Sequence, residues 1–161
     1  MKEGHSEFWP WALDRWQGPA AVRLLKLQDE HDVVILELMF VAWLGVQCRA
    51  ISQDDLDQLR GGAQAWIDQV VLPLRRVRRA WKAEGKQASL RTRLQALELE
   101  AEKSLSLLYA QTWSLISATA NGDTANHCED ALGHNLWLVL EGVGLQADDT
   151  LRQQLLQDLS G

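Results

Sequence analysis

Cysteine is nearly absent. Cys48 and Cys128 are the only two, too few for a disulfide framework or a metal knuckle, so the expectation is an intracellular, reduced chain. No apolar run approaches the roughly 20 residues that span a bilayer. The opening MKEGHSEFW lacks the basic and apolar regions of a secretory signal. These two absences imply a cytoplasmic protein with no membrane partner. No stretch alternates convincingly between apolar and polar residues, so no sheet is expected. There is no internal repeat, no Gly-rich phosphate loop, no HExxH and no DDxxD-type pair. Neither cysteine has neighbours that would activate a nucleophile. No cofactor is therefore expected, and the balance leans away from an enzyme.

What remains is an ordinary globular composition of 161 residues, 47% apolar and 24% charged, which excludes wholesale disorder. A chain of this length is most simply one domain, 1–161. Tryptophan is the outlying residue, with eight copies. Such rings supply large buried areas and also stock binding surfaces.

The stretch Val33–Val46, VVILELMFVAWLGV, is apolar on every side at helical pitch, and Glu37 is its only ionisable residue. A helix of that kind and length, between polar QDEHD and QCR, is the buried rod of a bundle. The expected fold is all-α, seven or eight helices packed around residues 33–46. In chain order, Phe8, Trp9, Ala12, Leu13 and Trp16 share one face of a first helix, with Ser6 as its N-cap and Trp11 pointing away. Gly18-Pro19 opens a second helix to about Glu30, and Asp32 is a fair N-cap for the rod. Ser52 followed by Asp54-Asp55 reads as the next helix start. Gly61-Gly62 should break or loosen the chain at that point. A long antiparallel hairpin is expected from about 63–84 and 89–120, kinked at Pro73 and turned at Gly85. Asn121-Gly122 reads as a turn, Asp123 or Thr124 as the cap of a helix to Gly142, and Asp148-Asp149 as the cap of the last.

Charge is unevenly spread. The net charge is −6, yet the segment from Arg75 to Arg93 has eight Lys/Arg and one acid, Glu84. On its helix Arg75, Arg78, Arg79, Lys82 and Lys86 lie within about 100° of one another, opposite Trp66, Val70, Val77 and Trp81. One reading is a footprint for an anionic or protein partner, aided by an exposed Trp11. Nucleic acid is not favoured, since no helix-turn-helix signature is present. The other reading is a solvated face neutralised from within, because an antiparallel hairpin brings Arg75 level with Glu98, with Glu100 and Glu102 just beyond.

Three polar residues carry the alternative, a small enzyme or ligand pocket. Asp29, His31 and Glu37 stand at and just before the rod, and a carboxylate flanked by Val33, Phe40 and Leu44 needs a partner or a raised pKa. Structural pairing to an arginine, such as Arg23, Arg49 or Arg76, is the competing account. The stripe His127, Asp130, His134 and Glu141 offers metal-ligand types, but histidines seven residues apart sit about 10 Å apart along a helix. No metal site is expected there. A third reading is a structural helper that forms a homodimer through the long helix. It requires an exposed leucine row.

Several segments together resemble an uncharacterised family of short proteobacterial proteins. They are Leu27-Gln28-Asp29, Trp43-Leu44-Gly45, Trp66, Val71, Pro73-Leu74-Arg75, Arg78-Arg79 and Glu98-Leu99-Glu100-Ala101-Glu102. The resemblance covers most of positions 8 to 105 and implies a bacterial, cytosolic helical protein without an established activity. It also departs at one point. Relatives tend to carry Gly-x-Asp-Val-Asn before the rod, where this chain has Asp32-Val33-Val34-Ile35-Leu36, so a polar site built on that Asp and Asn would be absent here.

Overall fold

The computed structural model describes the backbone of residues 3–85, 87–119 and 128–160. Eight α-helices succeed one another: α1 (Glu3–Arg15), α2 (Gly18–His31), α3 (Ile35–Val46), α4 (Gln53–Trp66), α5 (Leu72–Glu84), α6 (Ala88–Thr119), α7 (Cys128–Gly142) and α8 (Asp149–Ser160). A π-helical turn, Ile67–Val71, joins α4 to α5 without interruption. Counting that run as one, the described residues form seven rods and no strand.

Helix α3 is the rod around which the rest assembles. Leu38 through Gly45 are buried without a break, together with Ile35 and Glu37. Residues of α1, α2, α6, α7 and α8 pack against it. This all-round sheath is what an all-round apolar sequence requires in water. Aromatic rings fill its centre. Phe8 meets Phe40 edge-on at 5.1 Å, and Phe40 stacks on Tyr109 at 5.6 Å. Helix α7 comes very close to the rod. A Cβ placed on Gly45 would lie 2.5 Å from the Leu132 Cα, so only glycine lets these backbones come together.

Capping agrees with the sequence at several ends. Ser52 and Asp55 form a reciprocal capping box at the start of α4. Asp148 Oδ1 accepts from the Leu151 amide at 2.9 Å, which starts α8. Gly85, at φ +65°, ends α5. Arg23 grips Asp158 through two hydrogen bonds of 2.7 and 3.0 Å and ties α2 to α8.

Five expectations are corrected. Asp32 does not cap α3; it closes α2 in the left-handed region at φ 54°, and Val34 precedes the rod without a side-chain cap. Helix α1 begins at Glu3 rather than at Ser6. Gly61-Gly62 sits inside α4 and breaks nothing, because the second glycine is a contact point: a Cβ there would meet Thr112 Oγ1 at 2.4 Å. The first arm of the hairpin is accordingly longer than 63–84, running from Gln53 to Glu84. Its irregularity is the π turn just before Pro73, where an extra residue per turn accommodates the missing amide donor. Finally, Cys48 is disulfide-bonded, so the expectation of a reduced chain does not hold at this residue; sequence spacing carries no information on which loops meet. The expectations at Lys86, Asn121, Gly122, Asp123, Thr124 and His127 lie outside the described residues, as does the Ser6 side chain.

Candidate functional site

The antiparallel register of the hairpin puts α5 arginines opposite α6 glutamates. Arg75 lies 3.6 Å from Glu98 and 3.4 Å from Glu102, and Arg78 pairs with Glu98 through Nε and Nη2. Glu98 is buried, and Arg75 is nearly so. Burial raises the Glu102 carboxyl above its ordinary range, and the charge of Glu98 adds to that, while Arg75 opposes both. Two guanidinium groups thus face two carboxyl groups across the hairpin.

These four side chains form the polar floor of a cleft of about 330 Å³. Its walls come from five elements: Trp9 and Trp16 of α1, Leu25 of α2, Met39 of α3, Val71 of the π turn and Leu99 of α6. Trp9 and Trp16 are seven residues apart and so share the inner face of α1. Leu13, Leu25 and Leu99 at the cleft are 41–50% exposed, so apolar surface continues outward past the concavity. Among the described residues no serine, threonine, cysteine, histidine, tyrosine or lysine lines it. Its volume is at the lower end of ordinary ligand pockets, about 300–1,000 Å³.

The sequence-derived residues fall in different places. Arg79 pairs with Asp29 across α5 and α2, at an exposed position. Lys82 is exposed at the far end of α5. Among the described residues of the basic stripe, Arg75, Arg78 and Arg79 are engaged by the protein's own acids, and only Arg75 and Arg78 face the cleft. Trp11 is half-buried, stacked beside Phe8 and covered by the Arg15 guanidinium 4.3 Å from its ring centre. Of the eight tryptophans, Trp43 is buried and the other seven are half-buried, so none is the exposed ring that was expected.

Glu37 does not join His31 and Asp29 in a pocket. Its Oε1 accepts from the Arg60 side chain, with Nε and Nη2 both at 2.8 Å. Arg60 takes the place of the partners considered from sequence. Burial pushes the Glu37 carboxyl up, the pair with partly solvated Arg60 offsetting that only in part. Beside it the Tyr109 hydroxyl is fully buried without a hydrogen-bond partner, and burial holds it well above 10. His31, half-exposed, reaches only its neighbour Glu30, at 4.0 Å. His134 donates from Nε2 to the Ile51 carbonyl, 2.8 Å away. Among the described residues no three His, Cys, Asp or Glu are placed to hold a metal ion.

A family model described as a protein of unknown function (DUF2390) matches residues 7–108. The chain belongs to this family. The whole cleft lies inside the DUF2390 span, since its lining runs from Trp9 to Leu105. Helices α7 and α8, which close the far side of the rod, lie outside it. No curated protein and no solved structure matches the chain.

Sequence reasoning missed Asn135. It stands on the apolar face of α7 between Leu132, Leu136 and Val139, and is fully buried. Its amide accepts from the Ile51 backbone at 2.9 Å and donates to the Val41 and Arg49 carbonyls at 2.9 and 2.8 Å. This side chain thus ties the loop from α3 to α4, which also carries the disulfide-bonded Cys48, to α7. The available signal was an amide among leucines at helical spacing, which buried polar chemistry makes costly unless every bond is met.

Proposed function

We propose that this protein is a non-enzymatic interaction protein whose cleft takes an apolar segment of a protein partner. The carrying observation is the exposed leucine rim. Leu13, Leu25 and Leu99 extend the apolar wall beyond the concavity, and exposed apolar surface continuous with a cleft fits a protein surface better than a small enclosed ligand. The charge balance of Arg75, Arg78, Glu98 and Glu102 supports an apolar driving force over capture of an anion. The floor then orients the partner through hydrogen bonds, while Trp9 and Trp16 supply rigid contact area. A catalytic use of the cleft has little support, because every ionisable group lining it is ion-paired and no nucleophile is present.

The test compares capture of cell proteins by the wild type with capture by Leu25→Lys and Leu99→Lys, identified by mass spectrometry. Both positions are exposed enough to leave the fold intact. Loss of the same captured species from both variants is the expected result, with binding of a peptide from that species then read by tryptophan fluorescence. Unchanged capture by both variants would remove the proposal.

A further inference from the structure

Helix α6 is 32 residues long, and one of its faces is uncovered. Leu90, Leu97, Leu107 and Leu115 are 39%, 50%, 41% and 72% exposed. At 100° per residue they lie within about 100° of one another, interleaved with Arg93, Glu100, Ser104 and Gln111 at spacings of three and four. The cleft residues Gln95, Leu99 and Glu102 lie about 160° away round the same helix. A partner on this row would leave the cleft open. Single exposed leucines are ordinary, but four on one stripe of about 38 Å are the seam of an unpaired helix.

We propose that a second copy of this chain covers the row, with the two α6 helices antiparallel about a two-fold axis near residue 102. The positions themselves point to self-recognition. Leu90 and Leu97 on one side of residue 102 mirror Leu115 and Leu107 on the other, so each leucine falls level with a leucine of the second copy, to within one residue. Arg93 then comes level with Gln111 and Glu100 with Ser104. A parallel pairing would instead stack Arg93 on Arg93 and Glu100 on Glu100, which like charges disfavour. The axis also places Glu100 beside Lys103 of the second copy, twice by symmetry. In the single chain neither Glu100 nor Lys103 is ion-paired with a described residue. An isologous interface needs this self-complementarity, and a heterologous partner does not.

Sedimentation velocity on the full chain, with circular dichroism as the folding control, tests the arrangement. The wild type is expected to be a dimer. Leu97→Glu and Leu107→Glu should each raise the dimer Kd by roughly a hundredfold, because symmetry removes two leucines from the seam at once. Val22→Glu, on an exposed α2 position, should leave it unchanged. Glu100→Lys and Lys103→Glu should each weaken association about tenfold, and the double variant should restore it. A wild type that stays monomeric to its solubility limit would overturn the proposal. So would a dimer indifferent to Leu97→Glu, or a charge double variant no tighter than either single one.

Discussion

Replacing Asn135 by alanine should be the costliest polar substitution in this chain. The side chain makes three hydrogen bonds, to the Ile51 amide and to the carbonyls of Val41 and Arg49. Ile51 is buried, so its amide would be left without a partner, whereas the Val41 carbonyl, inside α3, keeps its intrahelical bond. An orphaned buried group costs about 1–3 kcal/mol, and the half-covered Arg49 carbonyl adds less. The sum is about 3 kcal/mol, a large share of the roughly 5–15 kcal/mol that stabilises a typical domain. For a chain of this size that lowers Tm by about 10 °C. The control is His134→Ala, which removes one bond to the Ile51 carbonyl from an exposed side chain and should cost under about 1 kcal/mol. Urea unfolding monitored by circular dichroism and tryptophan fluorescence measures both, with the denaturant slope expected to stay constant. A loss below about 1 kcal/mol for Asn135→Ala would mean that water or a shifted loop satisfies those groups, and the account of Asn135 holding the α3–α4 connection would fail.

Gly45→Ala should destabilise by about 3 kcal/mol or more despite the better helix propensity of alanine, because its methyl would meet the α7 backbone at Leu132 rather than a movable side chain. Thermal unfolding at or near the wild-type midpoint would contradict the close packing of α3 on α7. Gly62→Ala meets only the Thr112 side chain, so it should be neutral to mildly destabilising alone and stabilising by about 1 kcal/mol in a Thr112→Ala background. Additive effects in that cycle would refute the contact. Glu37 carries a pH signature. Its folded pKa is raised, so its contribution to stability is full below the unfolded value, near 4.5, and is lost as pH rises through the folded value. Glu37→Gln should therefore gain stability relative to wild type between acidic and neutral pH; a difference that is flat with pH, or that falls, would show the Arg60 pair outweighing burial.

The hairpin register was legible because it needs only a turn position and the rise of about 1.5 Å per residue. Those two facts place Arg75 level with Glu98 before any side chain is seen. Asn135 was harder, since an amide on an apolar face reads as an impurity until the carbonyls it bonds are known. Trp11 was misjudged for a related reason. A helical wheel gives the direction of a ring but not that Arg15, four residues on, folds over it. Gly61-Gly62 misled because local propensity treats glycine as a breaker, whereas a neighbouring helix can need the space it leaves.

The linear order of residues determined the all-α class, the buried rod, most helix limits and the charge pairing of α5 with α6, all consequences of periodicity, caps and short connections. Tertiary structure alone decided which groups are left over after packing. It turned two arginines of an apparent basic stripe into the floor of a cleft, matched Glu37 with Arg60, and left a row of leucines on α6 uncovered. Pairing between distant segments depends on how helices cross, and crossing is set by packing summed over the whole core rather than by any one stretch of sequence.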